Sequence, residues 1–147
     1  MTMRYIISLV VYGCLAAPTF AQDKLPDLKG TWTGQFKSVV YGHNRHHPGD
    51  QAVTDPPRVR GITFTLKVNG QDGGAVWGES WSKPDLREPF AIAIAPDGKT
   101  AYGSDTDGVW SVTRISGDAM EVCYTHSGLS PTQSIVASCG NVSRAAQ

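Results

Sequence analysis

The chain has 147 residues, and its 13 Lys and Arg balance its 13 Asp and Glu, so the formal net charge is zero with histidine neutral. This balance excludes binding to nucleic acid or to anionic membranes that is driven by charge alone. The 16 Gly, 9 Pro and 40% hydrophobic residues are typical of a turn-rich globular chain, and the length accommodates one domain.

Residues 1–21 have the pattern of a secretory signal peptide. Arg4 supplies the positive charge, Tyr5–Ala17 is uncharged and mostly apolar, and Thr19 and Ala21 are small residues before a cleavage point. The apolar run is too short to span a bilayer. We therefore expect a single secreted or periplasmic domain over residues 22–147, with no membrane contact after cleavage. The alternative is a lipoprotein anchored through Cys14, because the preceding residues resemble a bacterial lipobox.

Signal cleavage leaves two cysteines, Cys123 and Cys139, in an oxidising compartment. They are placed symmetrically about Pro131, so they face each other if the flanking strands form a hairpin. Opposed residues of antiparallel strands lie within disulfide range. The sequence predicts a Cys123–Cys139 disulfide.

Short alternating runs rich in β-branched and aromatic residues dominate the mature chain, and no segment sustains helical spacing of apolar residues. Turn residues end each run. We predict an all-β domain, an eight-stranded antiparallel up-and-down β-barrel, with a β-sandwich as the alternative. The predicted strands are Gly30–Tyr41, Arg60–Val68, Ala75–Ser82, Glu88–Ala95, Lys99–Ser104, Val109–Ser116, Ala119–His126 and Ser134–Ser143.

Turn chemistry predicts how two pairs of strands align. Pro96-Asp97-Gly98 is typical of a three-residue hairpin loop, which would place Ile92 opposite Tyr102 with both side chains inside. Gly117-Asp118 is typical of a two-residue turn, which would place Arg114 opposite Glu121. The same turn would direct Tyr124, His126 and Ser111 inward.

The third strand has two possible registers, because a shift of one residue moves its side chains to the other face. Pairing Val68 with Ala75 would bring Trp77, Glu79 and Trp81 inside, and we prefer this register because it joins two tryptophans to an apolar surface. Glu79, Tyr124 and His126 are then the candidate acid–base residues, since a carboxylate and an imidazole in an apolar cup have perturbed pKa values.

Loop lengths differ between the two ends of the predicted meander. The turns at Asn69–Gly74, Pro96–Gly98 and Gly117–Asp118 are short and lie at one end, whereas the longer connections lie at the other. Binding sites in small barrels lie at such open mouths. The longer connections are Gly42–Val59, Lys83–Arg87, Asp105–Gly108 and Ser127–Gln133.

All four histidines fall at this open end. The candidate ligand-binding residues are His43, His46, His47, Trp81, Lys83, Tyr102 and His126. His43, His46, His47 and Asp50 are the residues that could ligate a metal, but their spacing matches no recognised metal-site frame, so we predict neither a metal nor another cofactor. Asp105-Thr106-Asp107-Gly108 is predicted to be a tight turn.

The start of the first strand, Gly30-Thr31-Trp32, resembles the Gly-x-Trp opening of the calycins, the lipocalin and avidin group, and Arg144 resembles their late arginine. The resemblance implies an eight-stranded barrel in which Trp32 and Arg144 pack together at the closed end. The avidins' biotin-contact pattern is absent from this sequence. Barrels of the allene oxide cyclase and dirigent type have the same strand count and include enzymes.

These observations favour a secreted or periplasmic barrel that binds a small apolar or aromatic molecule at its open end. An acid–base isomerase or cyclase of the allene oxide cyclase type is one alternative, and a structural or protein-interaction domain is another.

Overall fold

The computed structural model describes residues 25–127 and 133–146. The expected signal peptide, the Cys14 anchor and most of the last loop lie outside the described residues. The strands are β1 (Gly30–His43), β2 (Arg58–Asp72), β3 (Ala75–Trp81), β4 (Glu88–Ile94), β5 (Ala101–Ser104), β6 (Val109–Ser116), β7 (Ala119–His126) and β8 (Gln133–Arg144).

The eight strands form one closed antiparallel barrel in chain order, as predicted. β1 and β8 close it over a long register that runs from Trp32 opposite Arg144 to His43 opposite Gln133. Closure leaves no unpaired sheet edge, so the β-sandwich alternative is wrong. Among the described residues, no helix is long and apolar enough to cross a membrane.

The interior is built from alternate side chains of every strand, because successive residues of a strand point to opposite faces. The half of the interior nearer the closed end, here called the lower half, is apolar and includes Leu66, Val76 and Val122. Above this lies an aromatic layer in which the ring centroids of Phe36 and Phe64 are 5.4 Å apart and those of Phe64 and Trp110 are 5.2 Å apart. The layer separates the apolar lower half from the open end.

Two predicted pairings are confirmed in the last hairpins. Cys123 lies opposite Cys139 with a Cα–Cα distance of 4.1 Å, and the two form a disulfide on the outer face of the barrel. Arg114 lies opposite Glu121, and its guanidinium is 3.8 Å from the carboxylate. A disulfide is typical of proteins in an oxidising compartment.

The preferred register of β3 is wrong. Val68 pairs with Gly78, and a bulge in β2 then pairs Gly70 with Trp77. Trp77 is consequently outside, where its indole lies over Gly70 in space that a Cβ atom would occupy. Glu79 also lies on the outer face, 3.5 Å from the guanidinium of Arg87.

The predicted alignment of β4 with β5 is wrong by one residue. Tyr102 pairs with Ala93 and not with Ile92, so its side chain points outward and is 62% exposed. The Asp97 carboxylate accepts the backbone N–H groups of Lys99 and Thr100 at 2.8 and 3.1 Å. These bonds lengthen the loop by one residue beyond the predicted hairpin.

β6 contains a bulge between Val112 and Arg114 that the turn chemistry did not indicate. Beyond the bulge, Trp110 pairs with Tyr124, and both Trp110 and Val112 are buried. Ser111, predicted to face inward, pairs with Cys123 on the outer face. Because of the bulge, Trp110 points into the core and Ser111 does not.

The closed end follows the predicted arrangement of Trp32 and Arg144. The guanidinium of Arg144 lies 4.2 Å from the centroid of the Trp32 ring, which is fully buried. Arg144 also donates to the carbonyls of Lys29 and Asp27 and to the carboxylate of Asp118. The arginine thus ties the segment before β1 to the β6–β7 turn.

Candidate functional site

A cavity opens at the end of the barrel that carries the longer loops. Its volume, counted as the space open to the centre of a water molecule, is about 40 Å³. Holding one water takes roughly 10 to 15 Å³ on this measure, so the cavity has room for a small molecule that extends through the mouth. The walls are Phe36, His46, His47, Ile62, Phe64, Ser80, Trp81, Ser82, Leu86, Glu88, Asp105, Asp107, Tyr124, His126, Val136 and Ser138.

The β1–β2 loop is folded over the mouth by an asparagine. The side-chain oxygen of Asn44 accepts the backbone N–H groups of His46 and His47 at 2.8 and 2.7 Å. Asparagine is suited to this turn because its short side chain reaches the backbone two and three residues ahead. Its amide nitrogen also donates to the Ser134 hydroxyl at 2.8 Å, which fastens the loop to β8. Both histidines are thereby placed in the cavity wall.

The β5–β6 turn, predicted as a tight turn, is organised by Asp105. Its carboxylate accepts the backbone N–H groups of Asp107 and Gly108 at 3.2 and 2.8 Å and the indole N–H of Trp110 at 3.1 Å. Burial raises the pKa of Asp105, and the two backbone bonds oppose that shift by stabilising the ionised form. The Tyr124 ring occupies the space that a Cβ atom at residue 108 would need, so glycine is the residue that fits there.

A chain of hydrogen bonds crosses the floor of the mouth. The Tyr124 hydroxyl donates to Asp107 at 2.6 Å and lies 3.3 Å from Nδ1 of His126. His126 Nε2 is 2.8 Å from the Ser134 hydroxyl. Burial and the bond to Asp107 raise the pKa of Tyr124 far above its usual range, so the phenol stays protonated. Burial lowers the pKa of His126, although the nearby Asp107 and Asp105 oppose the shift.

Glu88, at the start of β4, joins two of the connections at the open end. Its carboxylate is 9% exposed and accepts hydrogen bonds from Arg45 and, at 3.0 Å, from the Thr106 hydroxyl. Nε2 of His46 is 3.4 Å from the same carboxylate oxygen. One buried carboxylate therefore connects the β1–β2 loop and the β5–β6 turn to the first residue of β4.

Glu88, Asp105 and Asp107 form the one acidic cluster with metal-like spacing among the described residues, with one oxygen of each within 4.8 Å of the others. Arg45 already neutralises Glu88, and Asp105 is fully engaged by N–H donors. In contrast, Oδ2 of Asp107 and Oε2 of Glu88 accept no hydrogen bond within the described part of the chain. The cluster therefore leaves two oxygens for a ligand.

His47 differs from the other histidines because its ring is nine-tenths buried and unpaired. It is 7% exposed and lines the cavity, and neither ring nitrogen has a hydrogen-bond partner among the residues described. Burial lowers the pKa of His47 to about 4, and the nearby His126 and Arg60 act in the same direction. At neutral pH the ring is therefore an uncharged imidazole whose nitrogens are left for a ligand or water.

The structure brings five sequence-predicted site residues together around the cavity: His46, His47, Trp81, Tyr124 and His126. Trp81 stands at the rim, where the guanidinium of Arg87 lies 4.2 Å from its ring centroid.

Five other candidates lie elsewhere. Glu79 and Tyr102 are on the outer face for the register reasons given above. His43 Nδ1 is 2.8 Å from the Gln51 carbonyl, within the β1–β2 loop. Lys83 and Asp50 are not part of the cavity wall, and Asp50 is exposed. The four residues considered for a metal are therefore not gathered in one place.

Three site residues escaped the sequence analysis as functional candidates: Glu88, Asp105 and Asp107. The signal that could have found them is their position, since each lies at a strand end or turn on the open side of the meander. An acidic residue in such a turn has an ordinary structural explanation as an acceptor of backbone N–H groups. The pairing of β4 with β5 places Glu88 beside the β5–β6 turn, and the three carboxylates converge there.

The chain matches no protein-family model, and no curated protein or solved structure is significantly similar to it. The fold and the geometry of the cavity are therefore the basis for assigning a function.

Proposed function

We propose that this protein is a secreted or periplasmic barrel that binds a small, partly aromatic or apolar molecule in the mouth cavity. The observation that carries the proposal is the composition of the cavity wall. Phe36, Phe64 and Ile62 line one part, whereas carboxylates, imidazoles and a phenol line another. A few placed polar groups in an apolar concavity are typical of small-molecule sites.

The rest of the barrel also supports a binding site at the open end. The lower half holds a smaller cavity of about 20 Å³ with a wholly apolar lining that includes Leu66, Val76 and Val122, and the aromatic layer separates it from the mouth. The polar groups that could orient a ligand therefore lie in the mouth cavity. The stacked Trp32 and Arg144 at the closed end support a calycin-like barrel, a group in which ligands enter from the opposite end. The pattern of residues 1–21 and the disulfide support export.

A cavity-filling substitution tests the binding site. Val136 lines the cavity, and its neighbour Ile135 points outward and is 46% exposed. We expect exported protein to bind members of a panel of single-ring compounds in saturation-transfer NMR. Val136→Phe should abolish binding, whereas Ile135→Phe, the matched control, should retain it. Binding that survives Val136→Phe would contradict this location, and a panel without any ligand would favour a structural or interaction role.

Acid–base catalysis is the second candidate, and the unpaired neutral imidazole of His47 is the observation that favours it. A general base needs a free nitrogen within reach of the proton that it removes. Both ring nitrogens of His126 already lie within hydrogen-bond distance of a hydroxyl group, of Tyr124 and of Ser134, so His47 is the better candidate. Acetophenone, a single-ring ketone, is a suitable probe because its methyl protons exchange with deuterium when a base removes them. Exchange that exceeds the buffer rate and is lost in His47→Gln would establish catalysis. Exchange at the buffer rate alone would exclude this reaction.

A further inference from the structure

We infer that the mouth cavity selects a protonated amine attached to an aromatic or apolar body. The inference rests on the proposed binding function and names the chemical class of its ligand. It depends on three features of the cavity: carboxylates that form no ion pair with lysine or arginine, free acceptor atoms, and an aromatic wall.

The charge of the site is set by its carboxylates. Glu88, Asp105 and Asp107 all line the cavity, and Arg45 on Glu88 is the one cationic group that forms an ion pair with them in the described chain. Burial lowers the pKa of both His47 and His126, which favours their uncharged forms. Arg58 and Arg60 lie nearer to His47, and Arg87 lies over Trp81 at the rim. A cation entering the mouth therefore meets two carboxylates, Asp105 and Asp107, that form no ion pair with a lysine or arginine of the described chain.

The acceptor atoms are those that the protein leaves unused. Asp107 Oδ1 accepts from Tyr124, whereas its Oδ2 has no donor among the described residues. The unpaired ring of His47 supplies a further acceptor in the same cavity, since a neutral imidazole has one nitrogen without a proton. An ammonium group has three N–H donors and no acceptor, so it complements this set, whereas a carboxylate ligand does not.

The remaining wall favours an organic cation over a metal ion. Phe36, Phe64 and Trp81 present ring surface to the cavity, and aromatic rings attract organic cations and bury apolar groups. Arg45 beside Glu88 opposes a divalent ion at the acidic cluster more strongly than it opposes a single positive charge. A one-ring amine places its ammonium at the carboxylates and its ring against this wall.

Titration calorimetry with three probes of similar size tests the inference: benzylamine, benzyl alcohol and benzoate. We expect benzylamine to bind about tenfold more tightly than benzyl alcohol, since hydrogen bonds to charged groups are the stronger kind, and benzoate to bind most weakly. Asp107→Asn should remove most of the preference for the amine. Asp85→Asn, which removes an exposed carboxylate from the loop at residues 82–87 on the same end, is the matched control and should leave it unchanged.

A second variant separates charge from structural damage. Arg45→Gln removes the cation beside Glu88, so it should strengthen benzylamine binding severalfold, an effect that general loss of structure does not produce. Benzyl alcohol or benzoate bound as tightly as benzylamine would overturn the inference while leaving the binding function in place. Benzylamine binding that requires an added divalent metal would also overturn it. Failure of all three probes and of the single-ring panel would overturn the proposed function itself.

Discussion

Asp105 shows how one residue can serve both the fold and the site. Its carboxylate accepts two backbone N–H groups of its own turn and the indole N–H of Trp110, a side chain of the aromatic layer. The same bonds position Asp107, the next carboxylate along the turn, beside the Tyr124 hydroxyl. The turn and the cavity wall are therefore a single hydrogen-bonded unit, and the polar groups of the mouth are held in place before a ligand arrives.

At the same scale, His47 makes stability depend on pH. Its pKa is lowered to about 4 in the folded protein, against about 6.5 in the unfolded chain. The unfolded state therefore binds more protons between these values, so stability is complete above pH 6.5 and falls as the pH falls toward 4. We expect a loss of about 1 to 3 kcal/mol over this window, below the full linkage value because water in the mouth screens the charge.

Denaturant unfolding of wild type and His47→Gln between pH 7.5 and 4.5 measures this contribution. The variant keeps a neutral polar side chain but has no titrating group at residue 47, so its stability should fall less on acidification. His126, whose pKa burial also lowers, is present in both proteins, so the difference between the two curves reports residue 47 and its coupling to His126. Parallel stability curves for the two proteins would contradict the assignment to His47.

At the scale of the strand, Gly70 and Trp77 form a cross-strand unit on the outer face. Gly70→Ala would place a Cβ atom in the indole ring of Trp77, and we expect a loss of about 1 to 3 kcal/mol because the ring must move off the sheet. Gly61→Ala in the same strand is the control, since no atom lies within 4 Å of the added Cβ. Chemical denaturation measures both variants.

The double variant Gly70→Ala with Trp77→Ala isolates this contact. Without the indole, the added Cβ loses the three atoms that lie nearest to it, so the two substitutions together should cost less than the sum of their separate effects. Strictly additive effects would show that the ring does not restrict residue 70.

The same two residues illustrate what sequence patterns can predict about a strand. Strand number, order and approximate bounds were predictable, because alternation and turn residues mark each strand independently. The face presented by β3 was not, because the bulge beside Gly70 depends on a contact with the next strand. The bulge in β6 reversed the expected face of Ser111 in the same way. The pairing of Arg114 with Glu121 was predicted correctly because it lies between the Gly117-Asp118 turn and the bulge, where the turn determines the register.

The site was predictable to the extent that it depends on topology. The meander placed the longer loops at one end, and this end contains the cavity with His46, His47 and His126. Its acidic half was missed. Glu88 lies beside the turn with Asp107 because β4 pairs with β5, but acidic residues at strand ends and turns were given their ordinary structural explanation. Tyr102 was misplaced because the bonds to Asp97 lengthened one loop by a residue, and a single-residue shift reverses a strand's faces.

In the whole molecule, the contacts at the closed end contribute to stability, whereas the open end carries the proposed binding site. Arg144 covers the fully buried Trp32 and satisfies carbonyls of Lys29 and Asp27 at the closed end. Arg144→Ala should therefore destabilise the protein by roughly 2 kcal/mol, a fall in Tm of about 5 to 10 °C, since it uncovers the Trp32 ring and removes the contacts between the segment before β1 and the β6–β7 turn. Arg114→Ala is the control, because that guanidinium is 74% exposed and forms one long ion pair, which contributes little.

Benzylamine affinity, measured well below the melting temperature, should be unchanged in Arg144→Ala, because the apolar lower half and the aromatic layer stand between the two ends. Asp107→Asn should show the opposite pattern, with a weakened amine preference and a smaller change in Tm, since its free oxygen serves no other described residue. Thermal unfolding and calorimetry on the same samples compare the two variants. Loss of benzylamine binding in folded Arg144→Ala protein would show that the ends are coupled through the barrel, because a change at the closed end would then have altered the geometry of the mouth.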